Sequence, residues 1–370
     1  MVKKLPFVVG ALVCFLLLVT FRYTDHSQMK QLIMFQNAGQ FTTDIPFPRF
    51  EASSTESPYW EGISAKPDII NLINASFVKY PLTINGSYLM ENPDLCTSVP
   101  NLSVLIVVHT APDHFELRQA MRRTWANNSY YESLGQVRTI FLLGTVSNVS
   151  LQSKLEAEFK THGDLVQGDF VDAYRNLTHK GVMGYKWITE RCRNAKFILK
   201  VDDDVVVDMY RLFKHVLPKY KDKQKLIFCN HIYAGTMLII RDKKNKWYVS
   251  ENHFKGKKFY PEYCSGFLVL FTNDVIPALS RAASLTPFFW VDDVYLYGLV
   301  PSHVPGLTYS NLKQEEHMLN GQKALACYRN TTMIQNHKCD YLVTGTRNLR
   351  VAQDTWTEMT KQYNVSKHAH

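Results

Sequence analysis

From Leu102 onward the chain alternates short apolar runs with stretches of helical periodicity. LSVLIVVH (102–109), VRTIFLLG (137–144) and KFILKV (196–201) are almost unbroken apolar runs of strand length and read as buried strands. Between them, DHFELRQAMRRTW and SLQSKLEAEFKTHG repeat their apolar positions at helical spacing, the second ending at Gly163. After a short DLVQGDFVD segment, a long helix is expected from about Tyr174 to Cys192. This alternation predicts an α/β fold whose mostly parallel central sheet carries helices on both faces. Such sheets bind ligands beyond the carboxyl ends of their strands, so the residues that follow each strand are where chemistry is expected.

The first hundred residues read differently. Residues 5–21 carry no charge and lie between Lys3-Lys4 and Arg22, just long enough for one membrane-spanning helix. No small-x-small cleavage site follows Phe21, so an uncleaved signal anchor is expected. The lysines place residues 1–4 in the cytosol and everything from Arg22 in a lumen. Prolines at 46, 48, 58, 67, 81, 93 and 100 break any long periodic run, and residues 22–100 read as a stem ahead of a lumenal domain at 101–370. Eight glycosylation sequons agree with a lumenal path: Asn74, Asn85, Asn101, Asn127, Asn148, Asn176, Asn330 and Asn364. So do the six cysteines outside the apolar span, Cys96, Cys192, Cys229, Cys264, Cys327 and Cys339. None forms a CxxC pair, which argues for disulfides over zinc, with the pairing open.

A net charge of +9 could signal nucleic acid, an anionic surface or a phosphate ester. Its distribution decides among these. Between Arg211 and Lys258 there are 13 Lys and Arg against three acidic residues, whereas the rest of the chain beyond the anchor flanks is mildly acidic. Lumenal topology excludes nucleic acid, and the segment from Arg241 to Lys258 is expected to attract a small anionic donor or an anionic surface.

The chemistry follows the strands. After KFILKV come Asp202, Asp203 and Asp204, three carboxylates whose mutual repulsion a cation would offset. Oxygen ligation of this kind suits Mg or Mn, which share phosphates and water with few carboxylates. A second pair, Asp292-Asp293, follows FFWV and would by itself read as a helix cap. Paired with a metal-bound phosphate ester, it is what displacement at a sugar carbon needs: a base for the nucleophile and a cation for the leaving group.

These residues and their order resemble the β-1,3-galactosyltransferase and β-1,3-N-acetylglucosaminyltransferase group of inverting Golgi enzymes, glycosyltransferase family 31, to which the Fringe proteins also belong. The likeness covers residues 102–363. It is carried by Arg118-Gln119-Ala120-Met121-Arg122-Arg123-Thr124-Trp125, similar to RxxxRxTW, and by DFVDAYRNLTHK at 169–180. The Asp triplet, the KWY at 246–248, the YPEYCSG at 260–266 and Asp292-Asp293-Val294-Tyr295 complete it, the last with one extra residue before Gly298.

The resemblance implies the GT-A nucleotide-sugar-binding fold behind a type II Golgi anchor, a UDP-sugar donor and Mn. It implies Asp204 as metal ligand with Asp202, Asp203 toward the ribose, Asp293 as general base, and Asp292, Tyr263 and Cys264 on the acceptor side. Arg118, Arg122, Lys180, Asp202, Asp203, Trp247 and Tyr248 would form the donor pocket. Galactose is the expected sugar, with N-acetylglucosamine or N-acetylgalactosamine as alternatives, moved to an acceptor glycan on a glycoprotein or glycolipid. A homodimer or a complex with other glycosyltransferases is compatible with this reading, and a non-catalytic lumenal partner of another transferase is its rival. One departure stands out: relatives place a metal-binding His eleven residues before a C-terminal Trp, and here Gly345 holds that position ahead of Trp356.

Overall fold

A computed structural model describes residues 86–363. The expected anchor, most of the expected stem and the sequons at Asn74, Asn85 and Asn364 lie outside the described residues. Among the described residues no helix is long and apolar enough to cross a membrane.

Eleven strands are described: β1 (Tyr88–Met90), β2 (Leu102–His109), β3 (Gln136–Thr145), β4 (Leu165–Val171), β5 (Phe197–Asp202), β6 (Val205–Val207), β7 (Leu226–Ile232), β8 (Tyr263–Thr272), β9 (Thr308–Asn311), β10 (His317–Met318) and β11 (Val343–Gly345). The principal helices are α1 (Phe115–Arg123), α2 (Val149–His162), α3 (Leu177–Arg191), α4 (Ile276–Leu285), α5 (Gly321–Tyr328) and α6 (Leu349–Lys361). Each strand expected from an apolar run forms within a residue or so of its predicted ends. The DLVQGDFVD segment becomes β4. Gly163 ends α2 in the left-handed conformation, φ 64°, where glycine carries no Cβ penalty.

The main sheet has the order β1-β4-β3-β2-β5-β8-β7-β9. It is mixed rather than mostly parallel, which corrects the expectation. Strands β4, β3, β2 and β5 run parallel, but β8 lies antiparallel to β5 and β7 antiparallel to β8. Periodicity reports burial and not direction, so the reversal was not legible in it. Both faces are covered. Along β2, Leu105 and Val107 enter one core with α3 and α4, while Val104, Ile106 and Val108 enter the other with α1 and α6. A small second sheet, β10-β11-β6, lies beside the acidic turn.

Packing starts ahead of the expected boundary at 100. Strand β1 pairs with β4, and Cys96 is bonded to Cys192 just beyond α3. The other disulfides are Cys229–Cys264, across β7 and β8, and Cys327–Cys339.

Candidate active site

Strand β5 delivers Asp202 to the carboxyl edge of the sheet, and a two-residue turn carrying Asp203 and Asp204 leads into β6. The three carboxylates point to different partners. Asp202 accepts a hydrogen bond from Lys200 Nζ at 2.7 Å. Asp203 accepts from the Thr110 hydroxyl at 2.6 Å and pairs with His114 Nδ1 at 2.7 Å. Burial alone would raise the Asp203 carboxyl, but these bonds outweigh it and hold it low. Asp204 accepts from Arg347 Nε at 3.0 Å.

Asp292 and Asp293 open a short helical turn that continues as a π-turn over Tyr295–Leu299. Asp293 accepts the Gly266 backbone N–H at 3.0 Å. A Cβ at residue 266 would collide with Asp293 Oδ1, so only glycine permits this approach. Lys200, 4% exposed, donates also to the Gly266 carbonyl at 2.6 Å and so stands between the two acidic groups.

Burial, then the charge of Asp292, pushes Asp293 up to about 8, and Asp202 rises to about 6 chiefly through burial. Burial would lower the Lys200 ammonium, but Asp202, Asp293 and Asp292 together outweigh it and keep it charged. A carboxylate with a proton affinity this close to neutrality is suited to accept a proton from a sugar hydroxyl. Tyr174 adjoins the same acids, whose charges add to burial in raising its phenol, and it accepts Trp247 Nε1–H at 2.7 Å. Trp247 therefore reaches the site, with Tyr248 half-buried beside it.

Several expected contacts fall elsewhere. Arg118 is fully buried, paired with Glu158 at 2.7 Å and donating to the Ala111 and Pro112 carbonyls at 2.7 and 3.0 Å. Arg122 is spent on Glu158 and Asp164. Lys180, 1% exposed, holds the Thr110 carbonyl and Asp172. None of the three points to a donor. They fix the segments after β2 and β4, among them the one that carries Thr110 and His114. Cys264 is fully buried in its disulfide and Tyr263 is 8% exposed against the core, so Cys264 presents no atom to an acceptor. His337, the imidazole nearest Gly345 in sequence, pairs with Asp340 at the surface.

The sequence reading missed Lys200, Thr110, His114 and Arg347. Only Lys200 left a signal, a lone cation inside an apolar strand.

The donor set fits a hard cation of limited protein ligation. Among the described residues no three His, Cys, Asp or Glu side chains converge as a cage. Asp202 and Asp204 each commit one oxygen to a cationic side chain, which leaves oxygen donors of the kind Mg or Mn combine with phosphate and water. A Cβ at Gly345 would lie 3.2 Å from the Leu319 backbone, so a ligating side chain there requires Leu319 to give by a few tenths of an ångström.

Among known proteins, residues 116–305 match the family model described as galactosyltransferase. A lactosylceramide 1,3-N-acetyl-beta-D-glucosaminyltransferase of Mus musculus is 29% identical over 314 residues, covering 80% of this chain and 79% of the relative. Beta-1,3-galactosyltransferase 1 of Homo sapiens is 31% identical over 210 residues, 56% of this chain and 63% of the relative. A solved glycosyltransferase involved in glycosylation of the major capsid of PBCV-1 matches at 11% identity and a TM-score of 0.37, covering 69% of this chain and 98% of its own, a likeness too slight to argue from.

Proposed function

Because the chain belongs to the galactosyltransferase family, the β-1,3-galactosyltransferase and β-1,3-N-acetylglucosaminyltransferase group, we propose that it moves a hexose from a UDP-sugar to the 3-hydroxyl of an acceptor glycan with inversion at the anomeric carbon. Galactose is the first donor to test, with N-acetylglucosamine and N-acetylgalactosamine as the alternatives that the two relatives' names and the family leave open. The acceptor is a glycan on a protein or a lipid. The reading includes the GT-A fold and a type II Golgi location with the described domain in the lumen.

One observation carries this reading: the buried Asp293 carboxylate, oriented by Gly266 N–H and raised to about 8 beside Asp292. In the reaction, Asp293 accepts the proton of the acceptor hydroxyl as that oxygen attacks the anomeric carbon. The bond from that carbon to UDP breaks, UDP leaves with the electron pair, and an α-linked donor yields a β-1,3 product. Asp292 stands beside the base on the acceptor side, and Trp247 with Tyr174 walls the donor side. A divalent cation, Mn first, held by Asp204 and Asp202 would offset charge on the departing diphosphate. Lys200 keeps its charge between the acids and fixes their spacing.

Release of UDP from UDP-galactose, UDP-N-acetylglucosamine and UDP-N-acetylgalactosamine, measured with Mn across a panel of glycan acceptors, tests the proposal. Turnover with at least one pair is expected, falling on the order of 10²- to 10⁴-fold in Asp293→Asn. No turnover by folded protein with any pair would leave the rival of a non-catalytic partner.

A further inference from the structure

Strand β8 changes register partway along, and the change falls beside Asp293. Cys229 lies opposite Val269, yet its neighbour Asn230 lies opposite Ser265, which leaves Gly266, Phe267 and Leu268 facing no residue of β7. On the other side Leu268 still pairs with Val201 of β5. The strand therefore bulges against one neighbour only. A bulge frees backbone groups from the ladder and re-aims them, and here they are those of Gly266. Its N–H donates to Asp293 Oδ2 at 3.0 Å, and its carbonyl accepts from Lys200 Nζ at 2.6 Å. Space at this point is tight, since a Cβ on residue 266 would meet Asp293 Oδ1.

An interrupted ladder gives up hydrogen bonds that hold register, so other links must fix the offset of the two strands. From one face, Phe267 and Leu268 are buried in the core with α1 and α6, the Phe267 ring 5.3 Å from that of His317. From the opposite face comes the disulfide. Cys229 is the last residue of β7 paired ahead of the bulge, whereas Cys264 belongs to the stretch paired beyond it, opposite His231 and two residues from Gly266. The bond between them thus crosses the bulge. Both cysteines are fully buried in the other core, so the link is internal.

We propose that the Cys229–Cys264 disulfide positions the general base: by fixing the offset across the bulge it holds the Gly266 backbone where it orients Asp293 and keeps it apart from Lys200. The proposal rests on the sugar-transfer reading above and deepens it by adding two positioning residues. It gives Cys264, which presents no atom to an acceptor, a part in the site.

Two variants of the full chain test it, Cys229→Ala/Cys264→Ala and, to refill the lost volume, Cys229→Ala/Cys264→Val. A third, Cys327→Ala/Cys339→Ala, removes a disulfide from the opposite core as a control. Amide exchange read by mass spectrometry is expected to quicken about tenfold or more over 263–268 in the first two and to stay as in wild type over β2 and β5. With a donor and acceptor that wild type turns over, kcat should fall about 10- to 100-fold in both while affinity for UDP in Mn changes by less than about threefold. The control should lose thermal stability and keep its kcat. Unchanged exchange over 263–268, or a loss of UDP affinity as large as that of kcat, would overturn the proposal. So would failure of both variants to fold where the control folds, because the bond would then serve the fold and not the base. Wild type that turns over no donor sinks the transfer reading, and exchange alone then decides whether the disulfide holds Gly266 against Asp293.

Discussion

Asp293 is required by the proposed chemistry and penalised by the fold. In the unfolded chain its carboxyl titrates near 3.8, whereas in the folded protein burial and Asp292 move it to about 8. Between those values the folded state binds the proton that the unfolded state releases, so stability falls as pH rises through this window. Asp293→Asn keeps an acceptor for Gly266 N–H and removes the charge. Thermal melting should therefore rise by roughly 2–4 °C at pH 8 and by little at pH 5, while turnover is lost. An equal change at the two pH values would show that the charge does not set the cost. Asn176 offers a different single-residue lesson. At the exposed sequons Asn148 and Asn330 the side-chain oxygen caps a helix, whereas Asn176 donates its amide nitrogen to the Val171 carbonyl at 2.8 Å. A glycan there would replace one of the two Nδ2 hydrogens and leave the other to serve the Val171 carbonyl, so the bond constrains the direction in which the sugar can leave.

Helix α1 holds the loop after β2 through one side chain. Arg118 spans Glu158 on α2 and the carbonyls of Ala111 and Pro112, and that loop presents Thr110 and His114 to Asp203. Arg118→Ala leaves Glu158 with only Arg122, and a loss of about 3–5 kcal/mol in unfolding free energy is expected. Arg118→Lys should recover little of it, because one ammonium cannot serve three separated acceptors. Chemical denaturation measures both variants. This element also shows what sequence could convey. The apolar runs of β2, β3 and β5 were plain because strands buried on both faces must be apolar throughout, and the acids at the end of β5 followed from the sheet rule. Arg118, Arg122 and Lys180 were placed in the pocket because a motif preserves residue type without saying whether the side chain faces ligand or protein. Arg347 was invisible, since a single arginine in a polar stretch acquires meaning only when β11 lays it beside Asp204.

On the scale of the molecule, the basic segment read from composition divides in two. Arg241 is structural, donating to the carbonyls of Val249, Ser250, His253 and Phe254, and Lys225 donates to Pro305. Lys243, Lys244, Lys257 and Lys258 are exposed on the loop between β7 and β8, which folds back through a bridge of Leu238 to Phe259. That loop leaves and rejoins the sheet at the edge where β5 ends in Asp202. Neutralising the four lysines is expected to raise the donor KM severalfold at low salt and to flatten its dependence on ionic strength, with kcat unchanged. Kinetics at two salt concentrations would reveal it, and an unaltered salt slope would remove the loop from donor attraction.

The bond between Cys96 and Cys192 has a mechanical meaning. Tension applied at residue 86 meets β1 first, whose three residues pair with the edge of β4, bury Met90 in one core and lay Tyr88 against the other. Peeling then reaches Cys96 and stops, because the load passes through sulfur to the end of α3, a helix packed against α4 and touching β2, β3 and β4. Unravelling from that side is thus confined to about ten residues, 86–95, and the acids at the end of β5 keep their spacing under such a load.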